Sequence, residues 1–275
     1  MIAGVLPTAV SNAPAAHCLM FYEYENVLGE DWLECVEQMF SANEQVPAIA
    51  VANLGSDRAK GKYERVKARL RDLLRRQADE SAVDVRIDSE HAFPDDAFFP
   101  CRMRVAWSTS IGGLRQGVVA VRGSASSSEL TRMVERTCRP LFKKIGVAYA
   151  HAFTYPAAYG PDFYLSAVGA IPSGHSSLKN MEYAERLTRW RDNTWHRRKR
   201  PSEGYLREVY PINFLMAGQV ERAINGQSLK DYMTRTGTLR PCESIKGRYR
   251  WDVPDSLLAQ ARRDLEGTGI VLSAV

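Results

Sequence analysis

The spacing of apolar residues alternates along the chain between patterns typical of strands and of helices. Residues 17–24 are almost continuously apolar and aromatic, which predicts a first strand. After Gly29, residues 30–40 place their apolar side chains at helical spacing: Trp32, Leu33, Val36, Met39 and Phe40. The short apolar run 47–54 fits a buried strand or a helical turn, and its periodicity leaves both open.

A long charged helix is predicted next, capped by Ser56 or Asp57 and continuing to about Gln77. Its apolar positions form a single stripe: Tyr63, Val66, Leu70, Leu73 and Leu74. Arginine and lysine occupy the other faces. This arrangement predicts an amphipathic helix that packs on the core through one side.

The middle of the chain predicts further strands and a second long helix. Apolar and charged residues alternate over 83–88, as in a half-buried strand, and 101–109 and 117–122 indicate a hairpin around Gly112-Gly113. Ser126 opens a helix with capping-box character, which Pro140 would end or kink. The segments 147–155 and 163–168 are predicted as strands or extended segments.

The last third predicts a loop at 171–177, a helix at 180–196, a helix near 228–234, a strand at Trp251 and a final helix at 255–265. We therefore expect an α+β protein, with a mixed or antiparallel sheet flanked by helices. The chain is interpreted as one domain, 1–275. The basic segment 197–204 is the clearest change in composition and a possible break between two subdomains.

Composition narrows the class of protein. The chain has 275 residues, of which 45% are hydrophobic and 25% charged, as in ordinary globular proteins. Its five cysteines are odd in number and widely spaced, which predicts reduced thiols rather than a disulfide framework or a zinc site. We find no apolar run of the roughly 18 residues that span a membrane and no basic segment typical of a signal peptide, so we expect a cytoplasmic location.

The charges are unevenly distributed, although the net charge is only +5. One acidic segment runs from Glu23 to Glu44 without a lysine or arginine, and a second runs from Asp84 to Asp96 with Arg86 as its only base. Each is either a solvated surface or a contact for a cationic partner. The candidate contact residues are Glu23, Glu25, Glu30, Asp31, Glu34, Asp88, Glu90, Asp95 and Asp96.

Catalytic and cofactor motifs are absent from the sequence. His175-Ser176 lacks the G-x-S-x-G pattern of a nucleophile, and His91, near Asp95 and Asp96, has no second histidine with which to bind a metal. No phosphate-binding, dinucleotide-binding or H-E-x-x-H motif occurs. We expect no catalytic residue, cofactor or metal, and a hydrolase that uses His175 or His91 remains an open alternative.

The segment 189–200 indicates a second alternative. It interleaves basic residues with Trp190 and Trp195, a combination that suits phosphate pairing and base stacking in a nucleic-acid-binding module. The same pattern fits an amphipathic helix whose tryptophans face the core, with cations favoured at its C-terminus by the helix dipole. The spacing of the tryptophans leaves both interpretations open.

The C-terminal segment 204–265 resembles that of bacterial polymorphic-toxin and type VI secretion immunity proteins. The residues that carry the resemblance are Leu206-Arg207, Val209-Tyr-Pro-Ile-Asn-Phe-Leu215, Leu229, Gly237-Thr-Leu239, Trp251 and Val253-Pro254. Earlier residues match only in the order of their elements. The resemblance implies a non-enzymatic α+β protein that binds and neutralises a cognate secreted toxin. In such families the toxin is often a nuclease of restriction-endonuclease fold, encoded by the adjacent gene.

This implied partner agrees with the acidic segments, because a nuclease must hold phosphates in a cationic groove. The positive net charge excludes wholesale mimicry of nucleic acid, so the complementary contact is predicted to be local. We expect the cognate toxin as partner, with no membrane partner and no nucleic acid except under the alternative above. The motif residues Tyr210, Phe214, Leu215 and Trp251 are predicted to be largely buried and to pack within one subdomain as a framework.

Overall fold

The computed structural model describes residues 14–24, 29–75, 83–96, 98–109, 113–167, 178–242 and 247–274. The strands in these ranges are β1 (Ala15–Tyr24), β2 (Ile49–Leu54), β3 (Asp57–Lys62), β4 (Val83–Asp88), β5 (Met103–Thr109), β6 (Arg115–Gly123), β7 (Val147–Pro156), β8 (Ile212–Met216), β9 (Ala223–Ile224), β10 (Gln227–Ser228), β11 (Thr238–Pro241) and β12 (Arg248–Asp252). The helices are α1 (Gly29–Ala42), α2 (Tyr63–Arg75), α3 (Ser127–Lys144), α4 (Pro161–Leu165), α5 (Leu178–Arg191), α6 (Ala217–Val220), α7 (Leu229–Thr236) and α8 (Asp255–Glu266). A π-helical turn, Asp192–His196, continues α5.

Ten of the described strands form one sheet in the order β11-β12-β8-β7-β1-β6-β5-β4-β2-β3. Its pairings are antiparallel throughout, and β9 and β10 form a separate small hairpin. The predicted α+β class is confirmed. The sheet continues across the basic segment 197–204, because β8 pairs with β7. Whether a subdomain boundary lies at that segment stays a prediction.

Helices cover the sheet on both faces, and the central strand β1 shows why. Leu19 and Phe21 point toward α1, α2 and α3, whereas Cys18, Met20 and Tyr22 point toward the layer that contains α5, α7 and α8. All five are fully buried. A strand that is buried on both faces reads as a continuous apolar run, which is what the sequence shows at 17–24.

The helix predicted from Ser56 begins too early. Residues 57–62 form strand β3, which pairs with β2 so that Leu54 lies opposite Asp57 and only Gly55-Ser56 connect the two strands. Gly55 has a φ of 55°, the left-handed conformation that tight hairpin turns require. Ser56 and Asp57 are therefore turn and strand residues rather than caps. Lysines and an arginine on the edge strand β3 discourage its pairing with another chain.

Two further predictions about local structure are corrected at prolines. Residues 163–168 were expected to be extended, but Pro161–Leu165 form the short helix α4, because proline favours the first turn of a helix. Residue 168 lies outside the described residues. Pro140 does not end α3, which continues to Lys144. Since proline has no N–H, the carbonyl of Arg136 receives no hydrogen bond from residue 140.

The C-terminal motif forms a framework, as predicted. The Asn213 amide donates to the Tyr210 carbonyl at 2.6 Å and its oxygen accepts from the Tyr210 N–H at 3.2 Å, which closes the turn before β8. Burial is confirmed for Tyr210, Phe214, Leu215 and Trp251. Phe214 lies on the opposite face of β8 from the other three, against Phe142, because neighbouring strand residues point to opposite sides. That the four belong to one subdomain stays a prediction.

A buried cation lies at the centre of this framework. The Arg207 guanidinium donates to the Tyr22 hydroxyl and to the Tyr164 carbonyl, both at 2.6 Å, and lies 4.0 Å from the centroid of the Tyr164 ring. Nearby, His151 stacks on Tyr210 with 3.7 Å between ring centroids. Burial, together with the charge of Arg207, holds the pKa of His151 well below its usual value. His151 is therefore neutral in the folded protein at neutral pH.

Candidate partner-binding surface

The acidic residues of α1, and Glu44 in the turn after it, face cations on the two neighbouring helices. Glu34 pairs with Lys144 of α3 at 2.5 Å, Glu44 pairs with Arg136 of α3 at 3.0 Å, and Glu37 pairs with Lys67 of α2. Asp31 is half-buried. Glu25 and the side chain of Glu30 lie outside what the structure describes. The first acidic segment is thus largely neutralised within the protein, even though such surface pairs stabilise the fold only slightly.

Glu23 also has an internal role. At the end of β1 its carboxylate accepts hydrogen bonds from the backbone N–H of Ser202 at 2.6 Å and from the Ser202 hydroxyl at 2.8 Å. These bonds tie the basic segment 197–204 to the central strand.

The second acidic segment begins with a buried carboxylate. Asp88 is 1% exposed and accepts from Arg104 Nε at 2.7 Å and from Arg104 Nη2 at 3.1 Å. Arg104 also donates to Asp162 and to the Phe98 carbonyl, both at 2.8 Å. Burial alone would lower the pKa of Arg104, but Asp162 and Asp88 raise it above its ordinary value. Asp88 has almost no surface with which to contact a partner. Its carboxylate therefore supports the loop that follows it, which is not the contact role predicted from the sequence.

The loop between β4 and β5 is described at residues 89–96 and 98–100, is called the 89–100 loop below, and is held by a second arginine. Arg122 of β6 donates to Asp96 at 2.6 Å and to the Phe99 carbonyl, and its guanidinium lies 4.2 Å from the centroid of the Phe93 ring. Asp96 in turn accepts from the backbone N–H groups of Phe98 and Phe99. Asp96 therefore stabilises the 89–100 loop from within.

Two carboxylates of the 89–100 loop remain on the outside. Glu90 and Asp95 are exposed, whereas Asp88 and Asp96 are turned inward to the two arginines. The loop thus presents negative charge from a backbone that is fixed at both ends. Of the acidic positions predicted from the sequence, Glu90 and Asp95 are best placed for a partner.

Neither Arg104 nor Arg122 was predicted from the sequence to belong to this site. A signal was present, because Arg104 interrupts the apolar run Met103 to Trp107 and Arg122 follows the apolar run Val118 to Val121. A charge inside a buried strand requires a paired carboxylate. The alternation of β5 and the nearby aspartates could together have indicated that some acidic residues are internal.

His91 forms a pair with a carboxylate, but among the described residues around it we find no nucleophile suited to catalysis. Its Nε2 atom lies 3.4 Å from Asp88 Oδ2. Cys101, which lies opposite His91 in an isolated bridge, is fully buried, and burial raises the pKa of its thiol to about 12. The thiol is therefore protonated at neutral pH and weakly nucleophilic. His175 and Ser176 lie outside the described residues, and within the described ones no cluster of three or more His, Cys, Asp or Glu could hold a metal.

The two tryptophans of 189–200 have different environments. Trp190 is 1% exposed and packs edge-on against Tyr22 at 5.4 Å between ring centroids. Trp195 is half-buried, and the Arg191 guanidinium lies 5.9 Å from its ring centroid. Since Trp190 belongs to the core, only Trp195 offers any surface for base stacking. This arrangement favours the amphipathic-helix interpretation over a stacking platform.

Comparison with known proteins adds a similarity of fold. The sequence matches no protein-family model and no curated protein. Among solved structures, the chain is similar to the Pseudomonas aeruginosa T6SS (type VI secretion system) protein PA0821, with a TM-score of 0.51 and 11% sequence identity; the match covers 94% of this chain and 73% of that chain. None of the described helices is both long and apolar enough to cross a membrane. At this identity, the similarity shows that the two proteins share a fold.

Proposed function

We propose that this protein is an immunity protein of a type VI secretion system, which binds a cognate antibacterial toxin one-to-one in the cytoplasm and blocks it sterically. The observation that carries the proposal is the 89–100 loop, on which two arginines fix the backbone and leave Glu90 and Asp95 exposed. The resemblance of residues 204–265 to immunity proteins supports it, as does the T6SS protein of similar fold.

A nuclease is the toxin that best fits this loop. Nuclease grooves are cationic because they hold a phosphate backbone, so exposed carboxylates on the inhibitor meet charge of the opposite sign. A loop that is already ordered loses little conformational freedom on binding, which favours affinity. The carboxylates of α1 fit this role less well, since lysines and an arginine of the same protein already pair with them.

The protein has no catalytic part in this proposal. Toxin inhibition needs only a complementary surface, and the described residues that could serve a hydrolase, His91 and Cys101, lack a reactive arrangement. Purified protein is expected to leave DNA, RNA, peptide and ester substrates unchanged. Turnover that disappears in the His91→Ala or His175→Ala variant would refute this part of the proposal.

The decisive experiment is co-expression with the product of the adjacent gene, followed by binding kinetics of the complex. The double variant Glu90→Lys/Asp95→Lys should slow association at low salt by about tenfold or more and reduce protection of cells that express the toxin. The matched control, Glu64→Lys/Asp72→Lys, makes the same change in charge at exposed positions of α2 and should behave like the parent protein.

A third variant distinguishes the two acidic segments. If Asp31→Lys/Glu34→Lys slows association and Glu90→Lys/Asp95→Lys does not, the contact lies on α1 and the role of the 89–100 loop is wrong. If the protein neither co-purifies with the neighbouring product nor protects cells from it, the immunity function itself is refuted.

A further inference from the structure

A groove between α1 and α3 carries positive charge that the proposed function does not use. Its volume is about 420 Å³, at the lower end of the usual range for ligand sites, and it contains four cationic side chains and one carboxylate. The lining residues are Gln38 and Ala42 of α1, and Glu135, Arg136, Arg139, Pro140, Lys143 and Lys144 of α3. None of these residues belongs to the 89–100 loop.

The four cations fall into two groups. Arg136 already pairs with Glu44, just after α1, and Lys144 already pairs with Glu34 of α1. Arg139 and Lys143 are exposed, and the described part of the chain places no carboxylate within ion-pair distance of either. Because they are four residues apart on one helix, their side chains lie on the same face and can approach one bound anion or two adjacent ones.

The rest of the lining favours a peptide over a nucleic acid. The described residues that line the groove include no aromatic side chain, whereas proteins that bind single strands stack bases on aromatic rings. Pro140 leaves the Arg136 carbonyl without the hydrogen bond that a helix would normally donate to it. A peptide backbone can supply an N–H to such a carbonyl, and a phosphodiester backbone cannot.

From these observations we infer that the α1–α3 groove is a binding site for an acidic peptide segment of a partner protein, with Arg139 and Lys143 as its carboxylate-binding residues. The guanidinium of Arg139 can bind a carboxylate through two parallel hydrogen bonds, and Lys143 adds a point charge beside it. This inference is independent of the proposed function, because it concerns a different surface and an occupant of the opposite charge.

The test is fluorescence anisotropy of a fluorescein-labelled hexaglutamate peptide titrated with the full-length protein at low salt. We expect saturable binding that weakens about tenfold or more in Arg139→Glu/Lys143→Glu. The control Arg65→Glu/Arg69→Glu makes the same change in charge on exposed positions of α2, also four residues apart, and should change affinity less than twofold, roughly the level of long-range screened charge. Circular dichroism establishes that each variant is folded, and Arg139→Gln/Lys143→Gln replaces the first pair if charge reversal unfolds the protein.

Three results would overturn the inference. The first is the absence of saturable binding at about 1 mM protein, the weak end of specific association. The second is an equal loss of affinity in the α2 control, which would assign the binding to net charge. The third is tighter binding of a labelled single-stranded oligonucleotide than of the peptide, together with loss of that binding in Arg139→Glu/Lys143→Glu. This result would make the groove a nucleic-acid site. None of these results depends on whether the protein neutralises a toxin.

Discussion

Replacing Asp88 by alanine should destabilise the protein without changing the residues exposed on its surface. Asp88 is 1% exposed, and its partner Arg104 is also buried. Removing the carboxylate leaves Arg104 Nε and Nη2 without the acceptors that now lie at 2.7 and 3.1 Å. Breaking one partner of a buried pair costs about 3–5 kcal/mol. The lower end of this range applies, because Arg104 Nη1 keeps Asp162 and the Phe98 carbonyl as acceptors.

For a protein of this size, a loss of about 3 kcal/mol lowers the melting temperature by roughly 5 °C. Urea denaturation gives the same difference as a free energy of unfolding. Asp95→Ala is the matched control, since it removes an exposed aspartate of the same segment and should change the stability by less than about 0.5 kcal/mol. Replacing both partners, Asp88→Leu/Arg104→Met, should recover part of the loss because no buried guanidinium is left unpaired, while Asp162, which then loses Arg104, is 25% exposed and can be solvated.

If Asp88→Ala is no less stable than Asp95→Ala, Asp88 does not support the loop. If Asp88→Leu/Arg104→Met is less stable than Asp88→Ala alone, an unpaired Arg104 is not the cause of the loss. In either case the distinction between buried and exposed aspartates in this segment would have to be abandoned.

Three further predictions concern the framework. Trp251→Ala should lower the free energy of unfolding by about 3–5 kcal/mol in urea denaturation, because the ring is fully buried; a loss below about 1 kcal/mol would contradict that packing. Gly237→Ala should lower the free energy of unfolding by about 1–3 kcal/mol, since its new Cβ would lie 2.3 Å from the Asp252 carbonyl oxygen. In the control Gly218→Ala the new Cβ has nothing within 4 Å, so the free energy of unfolding should not fall. His151→Phe should make the protein lose less stability on acidification. Below about pH 6.5 the histidine of the unfolded chain binds a proton, whereas the buried His151 of the folded chain stays neutral because its pKa is lowered. This difference destabilises the parent by up to about 1.4 kcal/mol per pH unit. Urea denaturation of both proteins at pH 7.5 and 5 measures this, and equal pH dependence would show that His151 accepts its proton in the fold.

Periodicity predicted much of the fold because it reports which side of an element is buried. β1, α1, the β5–β6 hairpin and α8 were all found near their expected bounds. It failed at β3, where Arg58, Lys60 and Lys62 belong to an edge strand whose charged residues resemble a solvated helix. Periodicity could not predict the order of strands in the sheet either, since β6 and β7, the neighbours of β1, lie far away in the chain.

The candidate site was predicted only in part, because a sequence shows that a residue is charged but not whether its side chain faces solvent or the interior. Glu90 and Asp88 are two residues apart and equally acidic in the sequence, yet one is exposed and the other is enclosed by Arg104. The difference arises from β5 and α4, which bring Arg104 and Asp162 together across the fold. Pairing within the protein, as between α1 and α3, likewise changes what a run of acidic residues can bind.

The central position of β1 has a consequence for biosynthesis. Although β1 is the first described strand, Ala15 pairs with Gly123 of β6 and with Pro156 of β7. At roughly 5–20 residues per second, a ribosome completes β7 about 7–26 s after it completes β1, and until then at least one edge of this apolar strand lacks its partner. The sheet of each new copy can therefore be completed only after this delay. Under the proposed function, protection of the cell depends on the copies that are already folded when the toxin arrives.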